Sequence, residues 1–340
     1  LTGVITSPYS NTVLADNTKV DASTAQFVTS SDPVRLGGGS NTCFRGGEVI
    51  GALPPSTAWS TMHDAIAVVP RGMPFFVLEG LRAFDYGDGA SVAHDATTPT
   101  KWTVRDVYFK YMRDDCIQND FLNPGTIDDS FFDGCYVAFS SRPFSTTQDG
   151  SNHVVVIKNS LIRLQAMDQG FSEPGHGGVF KWDPQAPRVA LYNNIFRVDS
   201  PVTVGNQTLA PPAGKLLDCA NNVMIWLGAG PFPEPLPSCY TLLTGDAGRD
   251  YWNTHVATWK AAHPKTGSDV GLPIISLFEP ADGATLTGTA VILRATAVDD
   301  QDVVGVQFKL NGTSIGPEVT AESPLTKFTL SWNSQAVLNG

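Results

Sequence analysis

The stretch Met112–Asp120, MRDDCIQND, places two adjacent carboxylates, Asp114 and Asp115, between an arginine and a further aspartate. Paired carboxylates can act as proton donor and base in glycoside hydrolysis, and they can also cap backbone N–H groups at the corner of a repeating fold. Two neighbouring segments carry the same residue type: YGDGASV, with Asp88, and FDGCYV, with Asp133. If these segments stack as consecutive turns, strands about 4.8 Å apart bring Asp88, Asp114, Asp115 and Asp133 into one column. Like charges that close raise one another's pKa, as a proton donor at neutral pH requires. His176, inside GHG, is a further candidate for proton transfer, and Arg113, Gln118, Arg142 and Lys181 are candidates for binding substrate. A β-elimination would instead use a basic residue with charge stabilisation by a cation, and Asp114, Asp115 and Asp120 offer the oxygen ligands that Ca²⁺ takes.

What would hold these residues in place is an internal repeat. VLEGLRAF from Val77, TVRDVYFK from Thr103, TIDDSFFD from Thr126, VIKNSLIR from Val156 and ALYNNIFR from Ala190 share one pattern, and CANNVMIW from Cys219 is a weaker copy. Each runs apolar, two mostly polar residues, then alternating apolar and polar, with Gly80, Asp106, Asp129, Asn159, Asn193 and Asn221 at the small or amide position. A second short strand follows several copies. Strands that recur this way cannot each bury a face alone, so stacking them coil on coil is the expected solution. The pattern resembles a right-handed parallel β-helix over residues 1–264. A helix near 250–263, with Trp252, Val256 and Trp259 on one face, is expected to cap an open end of it.

Composition narrows the function. The chain has 340 residues and a net charge of −11, which excludes the basic face of a nucleic-acid binder. No apolar run approaches the roughly 20 residues that a membrane helix needs. The five cysteines show no zinc-ligand spacing. They are read as those of a secreted protein, with a Cys219–Cys239 disulfide, Cys43 unpaired, and Cys116 and Cys135 either a buried stack or a second disulfide.

YGDG followed one coil later by DDCI resembles the NTDG…DDC[IV] signature of polygalacturonase-like glycoside hydrolases, which are right-handed β-helices. The resemblance implies that Asp88, Asp114 and Asp115 are three carboxylates that protonate the leaving oxygen and activate water, with inversion at the anomeric centre. This chain has Tyr86-Gly87-Asp88 where that family has NTD, and its GHG comes two coils after the pair rather than one. The RIK element of that family has no counterpart here.

Residues 265–273 read as a linker. From 274 to 340 the chain alternates apolar and polar residues, with turn signals at Asp282-Gly283 and Asn311-Gly312. The stretches PADGATLTG, ATAVDDQDVVGVQFKLNG and SWNSQAVLNG resemble the immunoglobulin-like modules of bacterial secreted enzymes and surface proteins. The fold class is therefore expected to be all-β: a right-handed parallel β-helix followed by an immunoglobulin-like β-sandwich, expected to be incomplete. The functional expectation is an extracellular or cell-surface bacterial protein that cleaves a polysaccharide or cell-surface glycan. The competing expectation is a non-catalytic structural or adhesive protein, assembled with other copies or chains.

Overall fold

The computed structural model describes residues 1–30, 32–51, 57–96, 100–167, 175–201, 205–264, 274–280, 283–298, 303–320 and 327–336. The chain forms two compact units that part near residue 268. The expected linker, 265–273, and Asp282 of the first expected turn lie outside the described residues.

The first unit is a parallel β-helix. A full coil lays down three short strands, such as Thr2–Ile5, Tyr9–Leu14 and Lys19–Asp21. The next coil repeats them as Thr24–Thr29, Val34–Gly38 and Cys43–Arg45, pairing Thr2 with Thr24, Tyr9 with Val34 and Lys19 with Cys43. The third face is a parallel sheet in which Val77, Thr103, Thr126, Val156 and Ala190 share one register row. These are the residues at which the sequence repeat begins. On the other two faces, Tyr108–Gln118 and Phe131–Ser141 each run unbroken around a corner and join the faces into one sheet.

The turn from third face to first face explains the amide column. Gly80, Asp106, Asp129, Asn159, Asn193 and Asn221 all adopt left-handed backbone, with φ between 45° and 67°. Glycine enters that region freely and Asn and Asp tolerate it better than other side chains. The Asn side chains also bond from coil to coil: Asn193 donates to Asn159 at 3.0 Å and Asn221 to Asn193 at 3.3 Å. Inside the coils, Phe109, Phe132, Phe139 and Phe180 are buried, with successive ring centroids 5.6–6.1 Å apart. Phe109 and Phe132 share one register row and Phe139 and Phe180 another, and Phe132 meets Phe139 within their coil, so the rings of two faces pack together.

The helix corrects the expectation of an end cap. It spans Gly245–Ala262 and lies along the outside of the first face, across the strands. Gly248 packs against Ile225, and Trp252 meets Phe131 edge to face at 5.9 Å. Further along, Trp259 packs on Phe131 and Tyr108. Just past the helix, the His263 carbonyl accepts a hydrogen bond from Arg82 at 2.7 Å. The helix therefore crosses from the strand Tyr240–Thr244 to the strand Arg82–Tyr86, six strand-to-strand steps away. Eighteen residues give about 27 Å and six steps about 29 Å, so the two lengths match. The helix lands on two members of the turn column that are acids: Asp129 accepts from the Trp259 indole at 3.1 Å, and His263 Nε2 lies 3.1 Å from Asp129 and 3.7 Å from Asp106.

The second unit is an antiparallel β fold. Ile274–Glu279, Val291–Val298 and Lys327–Trp332 form one sheet around a core of Leu293, Ala295, Val306, Phe308, Phe328 and Leu330. Asn311-Gly312 makes the expected two-residue hairpin turn, both residues at positive φ, between Lys309–Leu310 and Thr313–Ser314.

Candidate active site

The carboxylates meet at the corner between the first and second faces. The backbone turns there through residues of positive φ: Asp85 at 56°, Tyr111 at 58° and Gly134 at 96°. Tyr111 is a bulky side chain in a conformation that costs of order 1 kcal/mol. A β-bulge follows: Met112 pairs with Cys135 and Asp115 with Val137, three residues advancing against two. Neighbouring residues of a regular strand point to opposite faces. The bulge cancels that alternation, so Asp114 and Asp115 reach the same site although they are adjacent. One coil back, Asp88 starts the strand Asp88–Ser91; its Oδ1 accepts the Asp115 backbone N–H at 2.8 Å. Asp88, Asp114 and Asp115 each bring a carboxylate oxygen within 4.8 Å of the others.

The trio is buried, with Asp88 and Asp115 at 0% exposure and Asp114 at 5%. Lys181, from the strand Phe180–Trp182, reaches in with Nζ 3.1 Å from Asp115 and 3.8 Å from Asp114. Burial alone would lower the Lys181 pKa, but the negative charge of Asp115, Asp114 and Asp88 holds the ammonium above the ordinary lysine range. Burial, then the charge of Asp115, pushes the Asp114 carboxyl up to about 8, a rise that Lys181 and a hydrogen bond from the Trp59 side chain moderate. Asp88 rises well above the usual carboxylate range for the same reasons, burial first and then Asp115 and Asp114. Its Oδ2 is buried and has no hydrogen-bond partner among the described residues. Asp120, beside the trio, is pushed up to about 6 by burial and by Asp115. At neutral pH the cluster therefore keeps proton-bearing carboxyl groups next to an ionised lysine.

Other sequence candidates fall differently. Asp133 is not in the column. It sits in the register row of Lys110 and pairs with Arg163 at 2.6 Å, and those cations outweigh its burial and lower its pKa. Arg113 pairs with Asp85 at 2.8 Å, at the corner one coil back. His176 is wholly buried with both ring nitrogens taken by backbone: Nδ1 lies 2.7 Å from the Gly177 carbonyl, and Nε2 accepts from the N–H groups of Asp199 and Ser200. That bonding fixes the neutral tautomer and leaves no nitrogen to shuttle a proton. Asp120 spends Oδ1 on the Arg142 N–H and the Ser140 hydroxyl, and Arg142 extends its half-exposed side chain to within 3.7 Å of Asp183. Gln118, Ser140 and Lys181 share one row of the second face, so Gln118 stands two strands from the lysine of the site, with Ser140 between them.

The spacing of the trio would suit a hard cation, but Lys181 already supplies positive charge there, so no ligand set is assigned. Two disulfides brace the unit. Cys219–Cys239 is the expected one, and Cys116–Cys135 ties the residue after the pair to the next coil, while Cys43 is free and partly buried. The residue that sequence reasoning missed is Trp59. It lies on a one-turn helix, Trp59–Met62, outside the repeat, and no spacing connects it with Asp114.

Residues 273–340 match the bacterial Ig domain family, in agreement with the second unit. No curated protein and no solved structure matches the chain. The C-terminal segment is thus assigned to the bacterial Ig domains.

Proposed function

We propose that this chain is a secreted bacterial protein that hydrolyses glycosidic bonds of a polysaccharide at the Asp88–Asp114–Asp115 corner. One observation carries the reading: three buried carboxylates and a lysine converge at a strained, bulged corner, where Asp114 holds its proton up to a pH of about 8. A structural corner gains nothing from three carboxylates where one backbone cap would do, whereas glycoside hydrolysis needs a protonated acid beside an ionised one. Asp114 donates its proton to the leaving glycosidic oxygen. Asp115, ion-paired with Lys181 at 3.1 Å, takes the proton of the attacking water, and Asp88 orients Asp115 through its backbone N–H. Two disulfides support an oxidising, extracytoplasmic location, and the bacterial Ig domain supports display at or beyond the cell surface.

The competing reading, a structural or adhesive rod assembled with other chains, is favoured by one contact: Asp88 Oδ1 caps the Asp115 N–H as a corner residue would. A screen against neutral and acidic polysaccharides separates the two, reading reducing ends and the absorbance of unsaturated uronates with and without Ca²⁺. New reducing ends without unsaturation support hydrolysis. Unsaturated product replaces it with elimination, and silence from folded protein across the panel favours the rod.

A further inference from the structure

The turn column is not filled along its whole length. From Asp106 to Asn221 every member carries an Asp or Asn side chain, but the two before them are Gly80 and, one coil earlier, Gly46, in the same left-handed backbone with φ of 67° and 69°. Their N–H groups bond the carbonyls of Arg105 and Glu79 on the next coil, as the Asp106 N–H bonds that of Asp128. Sterics do not demand glycine at position 80. A Cβ there would meet nothing closer than 3.7 Å, and Asn159 holds the same turn with φ of 54°. Over the two glycines lies a cavity of about 470 Å³, with Ala262 and Pro264 at the end of the helix among its lining. That size falls within the ~300–1,000 Å³ of ordinary small-molecule sites.

The lining is rich in charge but nearly balanced. Asp21, Arg45 and Glu79 line it from one register row, acid, base, acid, and Arg82, Asp106 and His263 complete it. Arg105 holds Glu79 through two hydrogen bonds, and Arg82 is bound to the His263 carbonyl. The Asp106 carboxylate makes no hydrogen bond among the described residues and has only His263 at 3.7 Å, while Arg45 is 70% exposed and 3.7 Å from Glu79. Asp106 and Arg45 therefore offer an acceptor and a donor with capacity to spare. A charged ligand would meet repulsion nearly as strong as attraction here, with three carboxylates against two guanidinium groups and an imidazole. A neutral polyol would not: its hydroxyls donate to the carboxylates and accept from the guanidinium groups, and its C–H faces lie on Gly80, Ala262 and Pro264. We propose that this cavity binds a neutral sugar unit of a glycan, at a different turn of the coil from the Asp88–Asp114–Asp115 corner. It holds the polysaccharide and does not cleave it. The proposal rests on the glycan part of the reading above and is independent of the hydrolysis.

Isothermal titration of the full chain tests this, with Asp114→Asn in place so that no probe is turned over. The neutral probes are D-glucose, D-galactose, D-mannose and cellotetraose, and the charged ones are D-galacturonate and D-glucosamine. At least one neutral probe is expected to bind with a Kd of about 0.1–10 mM, and both charged sugars at least about tenfold more weakly. Gly80→Asn sets into the cavity the residue that the column carries elsewhere, and is expected to abolish this binding with thermal melting little changed. Asp106→Ala is expected to weaken it at least about tenfold, the worth of one hydrogen bond to a charged group, and decides the matter if Gly80→Asn melts early. Binding that survives both variants lies elsewhere and overturns the proposal. So does a charged sugar that binds more tightly than every neutral one, or a folded protein that binds none of the neutral probes. The hydrolase reading is scored separately, from reducing ends with Asp114 intact. Activity without binding at the cavity keeps the hydrolase and removes this site, and binding without activity does the reverse.

Discussion

Asp114→Asn keeps the size of the side chain and removes its titration. The Asp114 carboxyl rises from an ordinary value of 3.8 to about 8 in the fold, chiefly because burial penalises its charge. Between those values the folded chain holds a proton that the unfolded chain has released. Stability therefore falls as pH rises from about 4 to about 8, and is level below and above that window. A gap of about four units at about 1.4 kcal/mol each sets an upper limit near 6 kcal/mol. At pH 7, short of the upper end of that window, the net cost is set at ~2–4 kcal/mol. The asparagine variant escapes that cost. Thermal melts from pH 4.5 to 8.5 should show the parent's Tm falling more steeply than the variant's, which keeps only the fall that Asp88 and Asp120 cause. The curves should meet near pH 4.5 and separate by roughly 5–10 °C at pH 8 for a unit of this size. Over the same range turnover should drop at least about 100-fold, as expected on loss of a general acid. A variant that melts lower than the parent at every pH would show that the Asp114 carboxyl is a backbone cap, and would sink the argument from buried charge.

Lys181→Met should have the opposite sign, costing about 3–5 kcal/mol by leaving Asp115 buried without its ammonium. The loss should be larger at pH 8 than at pH 5, because Lys181 lowers the pKa of Asp114, which is protonated at pH 5 with or without the lysine; denaturant titrations at the two pH values check this. Gly87→Ala forces a methyl onto the Met62 carbonyl and should cost about 1–3 kcal/mol, with activity falling because the Trp59 helix is displaced. Trp259→Ala removes the ring that packs on Tyr108 and Phe131 and should cost about 3–5 kcal/mol by denaturant titration, with little effect on KM.

The coils were legible in the sequence because each repeats the same physical requirement. An apolar residue must point inward, and a residue tolerant of positive φ must stand at the turn, so Gly80, Asp106 and Asn159 could be aligned without coordinates. Asp88, Asp114 and Asp115 were legible for the same reason: they occupy neighbouring coils at the same corner. Asp133 misled because the likeness of its DG motif to the others is not the strand register: Tyr108–Lys110 pair with Phe131–Asp133 before the bulge is reached, so Asp133 stands in the row of Lys110. Arg113 and His176 have the residue types of a site, but their partners, Asp85 and the backbone of residues 177, 199 and 200, are set by folding and not by spacing. Trp59 sits in an excursion that obeys no period. The helix was recognised from its apolar stripe, but a stripe says only that one face is covered, and the covering surface is the flank of the coils.

Stacked coils ordinarily behave as a chain of nearest neighbours, so an end can fray without disturbing the middle. The helix Gly245–Ala262 changes that here, because it fastens the strand Tyr240–Thr244 to the strand Arg82–Tyr86 across everything between them. It works as a gauge of fixed length. Removing a single coil, for instance the segment from Asn159 to Tyr192, would shorten the sheet by about 5 Å while the helix kept its length. Trp259 and His263 would then overshoot Asp129 and Asp106. Coils inside that span are therefore not free to be gained or lost singly, whereas those before Arg82 are, and natural variation in coil number should be confined to the N-terminal side.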